Sequence, residues 1–505
     1  MTETLASFPG GLVLDGQKRR STQTPIRQMP LSKKLILPLQ QHIGEASVPI
    51  VEVGDKVLKG QKIARAEGHV SVYLHAPSSG TITAIDDHPI PHPSGLSALC
   101  ITIETDGEDR WIEHQGIVDY KQLSEHDIRQ RIREAGLVGL GGAGFPSFIK
   151  LNPGVHHHVD TLILNGVECE PYITCDDMLM RERAEGILDG IEIMHYALRV
   201  KNCIIAIEDN KAEAIAAMEH ALSQRDSLKN TKVVVVPTRY PAGSEKQLIQ
   251  VLTGKQVPSR GLAIDLGIVC HNVGTSYAIG RAIIHGEPLI SRIVTVTGTD
   301  VKHAGNFETL FGTPMDELLA FCETQRQPGE PFILGGPMMG YNLSGDHLPV
   351  TKTANCILVG VDNAAPDTKP LPCIRCGECA TACPVSLLPQ QLYWHARAKD
   401  LEKTQEYNLF DCIECGCCSY VCPSKIPLVH YFRFAKTEIM NQQQETLKSD
   451  NARIRHDNRQ QRLELEKKEK EQRQRQRKAA LAATKAAKEK EQAQKDSSLD
   501  NVENK

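Results

Sequence analysis

CIRCGECATACP at residues 373–384 and CIECGCCSYVCP at residues 412–423 decide how this chain is read. The first run sets Cys373, Cys376, Cys379 and Cys383 at C-x2-C-x2-C-x3-C-P spacing, and the second repeats it with Cys412, Cys415, Cys418 and Cys422. Three thiolates three residues apart on a tight loop can reach three irons of one cubane, while the fourth, just before proline, points across to a second cluster. That rule assigns Cys373, Cys376, Cys379 and Cys422 to one 4Fe-4S cluster and Cys412, Cys415, Cys418 and Cys383 to the other. Soft thiolates in paired C-x2-C runs also suit zinc, which stands as the alternative metal. Cys417 matches no ligand position and is expected to be a small packed thiol.

At 505 residues the chain exceeds what one core usually serves, so three or four domains are expected. An apolar share of 40% with few aromatics implies one poorly packed stretch. The net charge of -4 gives the whole chain no bias toward nucleic acid or a membrane surface. Nine of the sixteen cysteines lie between residues 373 and 422, which fits metal ligation in a reducing, intracellular setting better than a disulfide framework. The other seven lack metal spacing and are expected to be structural. The opening MTETLASFPGGLVLDGQ lacks the basic start and apolar stretch of a secretory signal, so export is not expected. No apolar run reaches the roughly eighteen residues a spanning helix needs, so any membrane role is expected to be peripheral.

Short β-branched segments alternate with turn signals in VEVGDKVLKGQKIA and LHAPSSGTITAI, predicting a small β-sandwich or barrel. Gly54-Asp55-Lys56-Val57 with Ala76-Pro77-Ser78-Ser79-Gly80 resembles lipoyl and biotinyl carrier domains, but the hairpin AEGHVSVYLH lacks their modifiable lysine, so the fold is expected without that cofactor. From about residue 124 to 275, amphipathic helical segments such as EHDIRQRIREAG alternate with apolar strands such as TLILNG, CIIAIE and KVVVVPT, the rhythm of an α/β layer fold with a largely parallel sheet. The stretch SRIVTVTGTDVKHAGNFETLFGTPMDELLAFC resembles a β-grasp domain, and VDNAAPDTKPLP reads as a linker. After about residue 440 the chain is Gln, Lys, Arg, Glu and Ala without an apolar seam, predicting a charged helical or disordered tail; acidic lipid or a partner is its functional alternative.

The fold class is thus multidomain α/β. An N-terminal region with a carrier-like β-sandwich is expected over 1–115 and an α/β flavin- and NADH-binding domain over 116–285. A β-grasp-like domain follows over 286–345, a linker over 346–371, a bacterial-type two-cluster ferredoxin domain over 372–435 and the tail over 440–505.

The segment GLVGLGGAGFPSFIK at residues 136–150 packs glycines where backbone can approach a phosphate, with Lys150 as a charge partner. GGAGFP, NGVECEP at residues 165–171, GSEKQLI from Gly243, and then Asn272-Val273-Gly274-Thr275 follow the order of the flavin-binding, NADH-oxidising subunit of respiratory complex I, which this region resembles. The resemblance implies that Gly141, Gly142, Gly144 and Lys150 hold the flavin phosphate region, that Asn165, Asn272 and Thr275 add hydrogen bonds, and that Phe145, Glu168, Glu170 and Glu245 face flavin or nicotinamide nucleotide. The chain departs from that pattern at Val167 (aspartate there), Cys169 (glycine) and Leu151 (tryptophan).

From FPGG near Phe8 through QHIG, the carrier-like domain, GGAGFP and both cysteine runs to IPLVHYFR at residues 426–433, the chain resembles the C subunits of bacterial Rnf (Rsx) electron transport complexes over about residues 5–440. The resemblance implies an oxidoreductase/translocase subunit that exchanges electrons among NAD(H), FMN and two 4Fe-4S clusters. It also implies a peripheral place on the cytoplasmic side of the inner membrane, docked on integral membrane subunits and serving a ferredoxin-type carrier, with no nucleic-acid partner. A soluble flavin and iron-sulfur NADH dehydrogenase or diaphorase subunit, and a cluster-only relay adaptor, remain the alternatives. Cluster potentials span roughly -700 to +450 mV with environment, so the sequence leaves the direction of flow open.

Overall fold

The computed structural model describes residues 5–154, 157–327, 329–343, 345, 347–361 and 369–499. Two compact units divide the chain, one through Arg433 and the other from Phe434 onward.

In the first unit, β-branched alternation builds two small antiparallel sheets. One runs Lys34–Pro38, Ser97–Thr105, Gly80–Pro89, Lys56–Val57, and the other Val48–Pro49, Lys62–Arg65, Leu74–His75. Leu35, Leu37, Ile63, Ile82, Ile101 and Ile103 are completely buried, and Ile36, Cys100 and Thr102 at the alternate positions are buried too, so both faces of Lys34–Pro38 and Ser97–Thr105 are covered there. The hairpin that offers a lysine in carrier domains is docked here instead. Arg133 donates from Nη2 to the Gly68 carbonyl at 2.6 Å and from Nε to that of Ser71 at 3.3 Å. Arg133 belongs to the helix Glu125–Glu134, which starts with a capping box between Ser124 and Asp127.

The α/β rhythm produces a four-stranded, all-parallel sheet in the order Thr231–Val236, Asn202–Glu208, Thr161–Gly166, Ile268–Asn272. Helices such as Ala184–Leu198 and Val273–Gly280 cover it, and their apolar faces merge with the core of the small β-sheets. Loops carrying the sequence motifs leave the carboxyl ends of these strands, where open α/β sheets place their ligands.

A third, six-stranded sheet runs Arg27–Gln28, Gly305–Leu310, Ser291–Gly298, Cys356–Val359, Phe332–Leu334, Tyr341–Leu343. Two expected boundaries fail here. Cys356–Val359 is a buried inner strand, parallel to Ser291–Gly298, so the linker does not begin at 346. Residues 362–368 of VDNAAPDTKPLP lie outside the described residues. The N-terminal region also does not stay with the first domain: Arg27–Gln28 adds a parallel edge to this third sheet, and Leu12 forms an antiparallel bridge with Tyr240.

The cysteine runs form two like turns. Arg375 and Glu414 share φ 58°, Gly377 and Gly416 have φ 85° and 81°, and each glycine precedes a short helix, Glu378–Thr381 or Cys417–Tyr420. A left-handed backbone at those glycines lets each loop wrap its own cysteines. The second unit is the continuation of the helix Leu428–Leu499. Its side chains at 451–494 are exposed, consistent with strong helix formers that have no apolar seam to bury.

Candidate functional site

The loops at the strand ends enclose a cavity of about 600 Å³. Gly141, Gly142, Phe145, Lys150, Asn165, Glu168, Glu170, Glu245, Asn272 and Thr275 all line it. Of the residues expected there, Gly144 alone is not in the wall. Gly144, at φ 63°, accepts a backbone hydrogen bond from Ile43 of the QHIG segment at 3.3 Å, and a Cβ on it would sit 2.8 Å from Cγ2 of Thr353. The left-handed backbone and the close packing of loop on loop both call for glycine at that position.

Several predicted hydrogen bonders are committed to holding the walls. Asn165 donates from Nδ2 to the Gly243 carbonyl at 2.8 Å and accepts from the Val167 N–H at 3.1 Å. Asn272 caps the helix Val273–Gly280 through Oδ1 and donates to Asp176 at 2.6 Å. Thr275 Oγ1 accepts from the Leu140 N–H at 2.9 Å. Lys150 pairs with Glu245 at 2.5 Å and donates to the Cys270 carbonyl at 3.0 Å; burial works against its charge, but Glu245 outweighs it and the pKa ends raised.

Glu168 accepts from the Asp176 and Asp177 N–H groups at 2.8 and 3.3 Å, and Glu170 from those of Met338 and Met339 at 2.7 and 2.9 Å. Loss of water raises the pKa of both carboxyls, with neighbouring Lys18 opposing the shift. Beneath this loop Lys18 donates to the carbonyls of Glu168, Glu170 and Ile173 at 2.7, 2.8 and 2.6 Å.

Ser147 and His271 also line the cavity, and Ser147 Oγ and His271 Nε2 are buried without a partner. Burial, then Lys150, lowers the His271 pKa to about 3. A Cβ on Gly142 would meet nothing within 4 Å, so its absence leaves open space beside the cavity. A cavity of this size, with orphaned polar atoms and a glycine-rich wall, fits FMN. Ser147 ends GGAGFPS in the segment already singled out, and the far wall comes from GGPMMG at residues 335–340, a glycine run whose pattern is plain in the sequence but carries no motif of its own.

The cysteines gather in the two sets that the spacing rule gives. Cys373, Cys376, Cys379 and Cys422 line one small cavity, and Cys383, Cys412, Cys415 and Cys418 line a second, otherwise apolar one. N–H groups of Leu387 and Glu414 donate to the sulfurs of Cys383 and Cys412 at 3.3 and 3.4 Å. A single zinc ion would hold its sulfurs about 3.8 Å apart, from Zn–S bonds of about 2.3 Å. Among the described residues, the only three His, Cys, Asp or Glu donor atoms within 4.8 Å of one another are those of Glu168, Cys175 and Asp176. The cysteine sets are therefore too open for one zinc and fit a cubane. Cys417 is completely buried, as a packed thiol.

Ile413 and Cys415 also line the large cavity, and the Tyr240 hydroxyl, in the same wall, donates to the Cys415 carbonyl at 2.7 Å. The glycine-rich α/β cavity and the second thiolate site thus share a wall, which defines a flavin and iron-sulfur protein. Matches to known families agree: an RnfC barrel sandwich hybrid domain over residues 6–108, a Nuo51 FMN-binding domain over 132–281 and a 4Fe-4S dicluster domain over 372–426. FMN and 4Fe-4S clusters are accordingly its cofactors.

The C subunit of the ion-translocating oxidoreductase complex of Haemophilus influenzae (strain PittEE) is 46% identical over 462 residues, covering 91% of this chain and 70% of the relative. Its counterpart in Pseudomonas aeruginosa PAO1 is 51% identical over 460 residues, 91% of this chain. The chain spans 59% of the length of that Pseudomonas relative. A chain of an NAD+-reducing [NiFe]-hydrogenase in the H2-reduced state aligns over 61% of each chain at TM-score 0.44 and 20% identity, too distant to bear on function. The chain belongs to the family of C subunits of ion-translocating oxidoreductase complexes.

Proposed function

We propose that this chain exchanges electrons with NAD(H) at the large cavity and carries them through FMN and two 4Fe-4S clusters to the membrane subunits of its complex and a ferredoxin-type carrier. The single observation that carries the reading is the shared wall: the GGAGFP loop and Cys415 line one cavity. Bound FMN supplies the conversion between two-electron hydride chemistry and the one-electron chemistry of clusters.

The chain's own residues bind and orient. The glycine loop, Ser147 and the Lys150–Glu245 pair receive the flavin, while Glu168 and Glu170, their pKa values raised by burial, hold protons beside it more readily than exposed carboxyls do. Cys383, Cys412, Cys415 and Cys418 would hold the cluster at the site that shares a wall with the large cavity, and Cys373, Cys376, Cys379 and Cys422 would hold the outer one. The outer role fits the exposure of Cys376, since Cys383, Cys415 and Cys418 are buried.

We place the chain peripherally on the cytoplasmic side of the inner membrane, seated through integral partners; no helix among the described residues is long and apolar enough to cross a membrane. The domain limits we propose keep the sequence-based ones, except that the third domain extends through Val359 and takes in residues 27–28.

Anaerobic purification of the full chain, with iron, acid-labile sulfide, zinc and flavin quantified on one sample, tests the reading. About eight irons with matching sulfide and one FMN are expected from two four-iron clusters. Clusters without flavin would leave only a relay adaptor, and zinc without sulfide would remove the electron path.

A further inference from the structure

The element joining the flavin cavity to the inner thiolate site is one side chain. Tyr240 is 3% exposed, its ring stands in the cavity wall, and its hydroxyl donates to the Cys415 carbonyl at 2.7 Å. Its backbone is pinned from the other side. The Tyr240 N–H donates to the Leu12 carbonyl at 2.8 Å, the Leu12 N–H returns to the Tyr240 carbonyl at 2.7 Å, and the Gly11 N–H donates to the Ala382 carbonyl, next to Cys383, at 3.0 Å. Tyr240, Ala382, Cys415 and Cys417 form one buried cluster that Leu12 and Met338 pack against.

Phenylalanine would satisfy that apolar packing. The hydroxyl does more than fill space: a buried phenol O–H must find an acceptor, and here it takes the peptide carbonyl of a ligand cysteine while also facing the Glu170 carboxyl in the cavity wall. A hydrogen bond donated to that carbonyl draws electron density from the Cys415–Gly416 peptide beside the thiolate site, and hydrogen bonding around a cluster is one of the terms that sets its potential.

We propose that Tyr240 is a positioning residue that couples the flavin cavity to the cluster of Cys383, Cys412, Cys415 and Cys418, fixing the Cys415 peptide and raising that cluster's potential. The proposal rests on the ligand assignment above, but not on NADH being the donor.

The test is potentiometric titration with dithionite, read by electron paramagnetic resonance on the full chain, comparing wild type, Tyr240→Phe and a chain with ring-fluorinated tyrosine at 240. The two cluster signals are assigned with Cys376→Ser, which alters the outer site. Tyr240→Phe is expected to move the inner cluster to a more negative potential with the outer cluster unmoved, and to slow its reduction by the flavin several-fold. Fluorotyrosine, a stronger donor of the same shape, is expected to move the inner cluster the opposite way. Unmoved potentials in both variants, or equal shifts of both clusters, would overturn the proposal. Should Tyr240→Phe lose its clusters, the sign of the fluorotyrosine shift decides alone. A wild type whose clusters take electrons from dithionite but not from NADH would contradict the proposed function and leave this test intact.

Discussion

The Lys18 ammonium donates to the carbonyl oxygen of Glu168 at 2.7 Å, joining residues 150 apart in sequence at the floor of the flavin cavity. With the bonds to Glu170 and Ile173, one cation satisfies three carbonyls of the loop that aims both glutamates. Lys18→Met keeps the side-chain length but removes the donor. Charged hydrogen bonds of this kind are worth about 1.5–3 kcal/mol each, though not additively, so the variant should lose about 2–4 kcal/mol of stability. Urea unfolding measures that loss, and released FMN per chain should fall with it.

Gly10 carries a second prediction. Its φ is 58°, and a Cβ there would lie 2.5 Å from the carbonyl oxygen of Cys383. Gly10→Ala meets both a left-handed backbone cost of about 1–2 kcal/mol and a clash with the backbone of a cluster ligand. Iron per chain should drop, with the loss confined to the inner cluster.

Crossed ligation separates two serine variants. Cys422→Ser should alter the cluster of Cys373, Cys376 and Cys379, and Cys383→Ser that of Cys412, Cys415 and Cys418, because each fourth cysteine lines the other run's cavity. Resonance spectra of the reduced chains check this; a variant that perturbs the cluster of its own run would contradict it.

How much of this was legible in sequence depended on how local the signal was. Cysteine spacing is set by one loop, so the spacing of Cys373 to Cys422 already divides them into the two groups that line the two cavities. The parallel sheet followed from helix and strand periods, which are also local. Residues acting through distant partners left no such mark. Lys18 and Tyr240 look like ordinary loop residues, and the four-residue strand Cys356–Val359 is too short to stand out beside a proline-containing segment. Gly144 packs against Ile43 and Thr353 from distant segments, contacts that its letter in the glycine-rich run does not announce.

His42, in the QHIG segment, should make the protein acid-sensitive. Its Nδ1 lies 3.1 Å from the Ile43 carbonyl as donor and its Nε2 accepts from the Val72 N–H at 3.4 Å, an arrangement only the neutral ring can make. Burial, then Lys352, lowers its pKa to about 4 from an ordinary 6.5. Between those values the unfolded chain binds the extra proton, so this contribution is complete above about 6.5 and is lost as pH falls toward 4, at up to about 1.4 kcal/mol per pH unit. Urea midpoints from pH 7 to 4.5 should fall, and His42→Gln should flatten the slope even if it lowers the plateau.

The proposed passage of electrons between NAD(H) and the clusters, through the cavity that Cys415 helps to line, sets an order of events. Rapid anaerobic mixing of the full chain with NADH, followed by flavin absorbance and by resonance spectra of samples frozen at intervals, tests it most directly. The flavin should be reduced first, with reduced cluster signals following. Flavin and clusters that stay oxidised with NADH, while dithionite reduces both in the same sample, would contradict it.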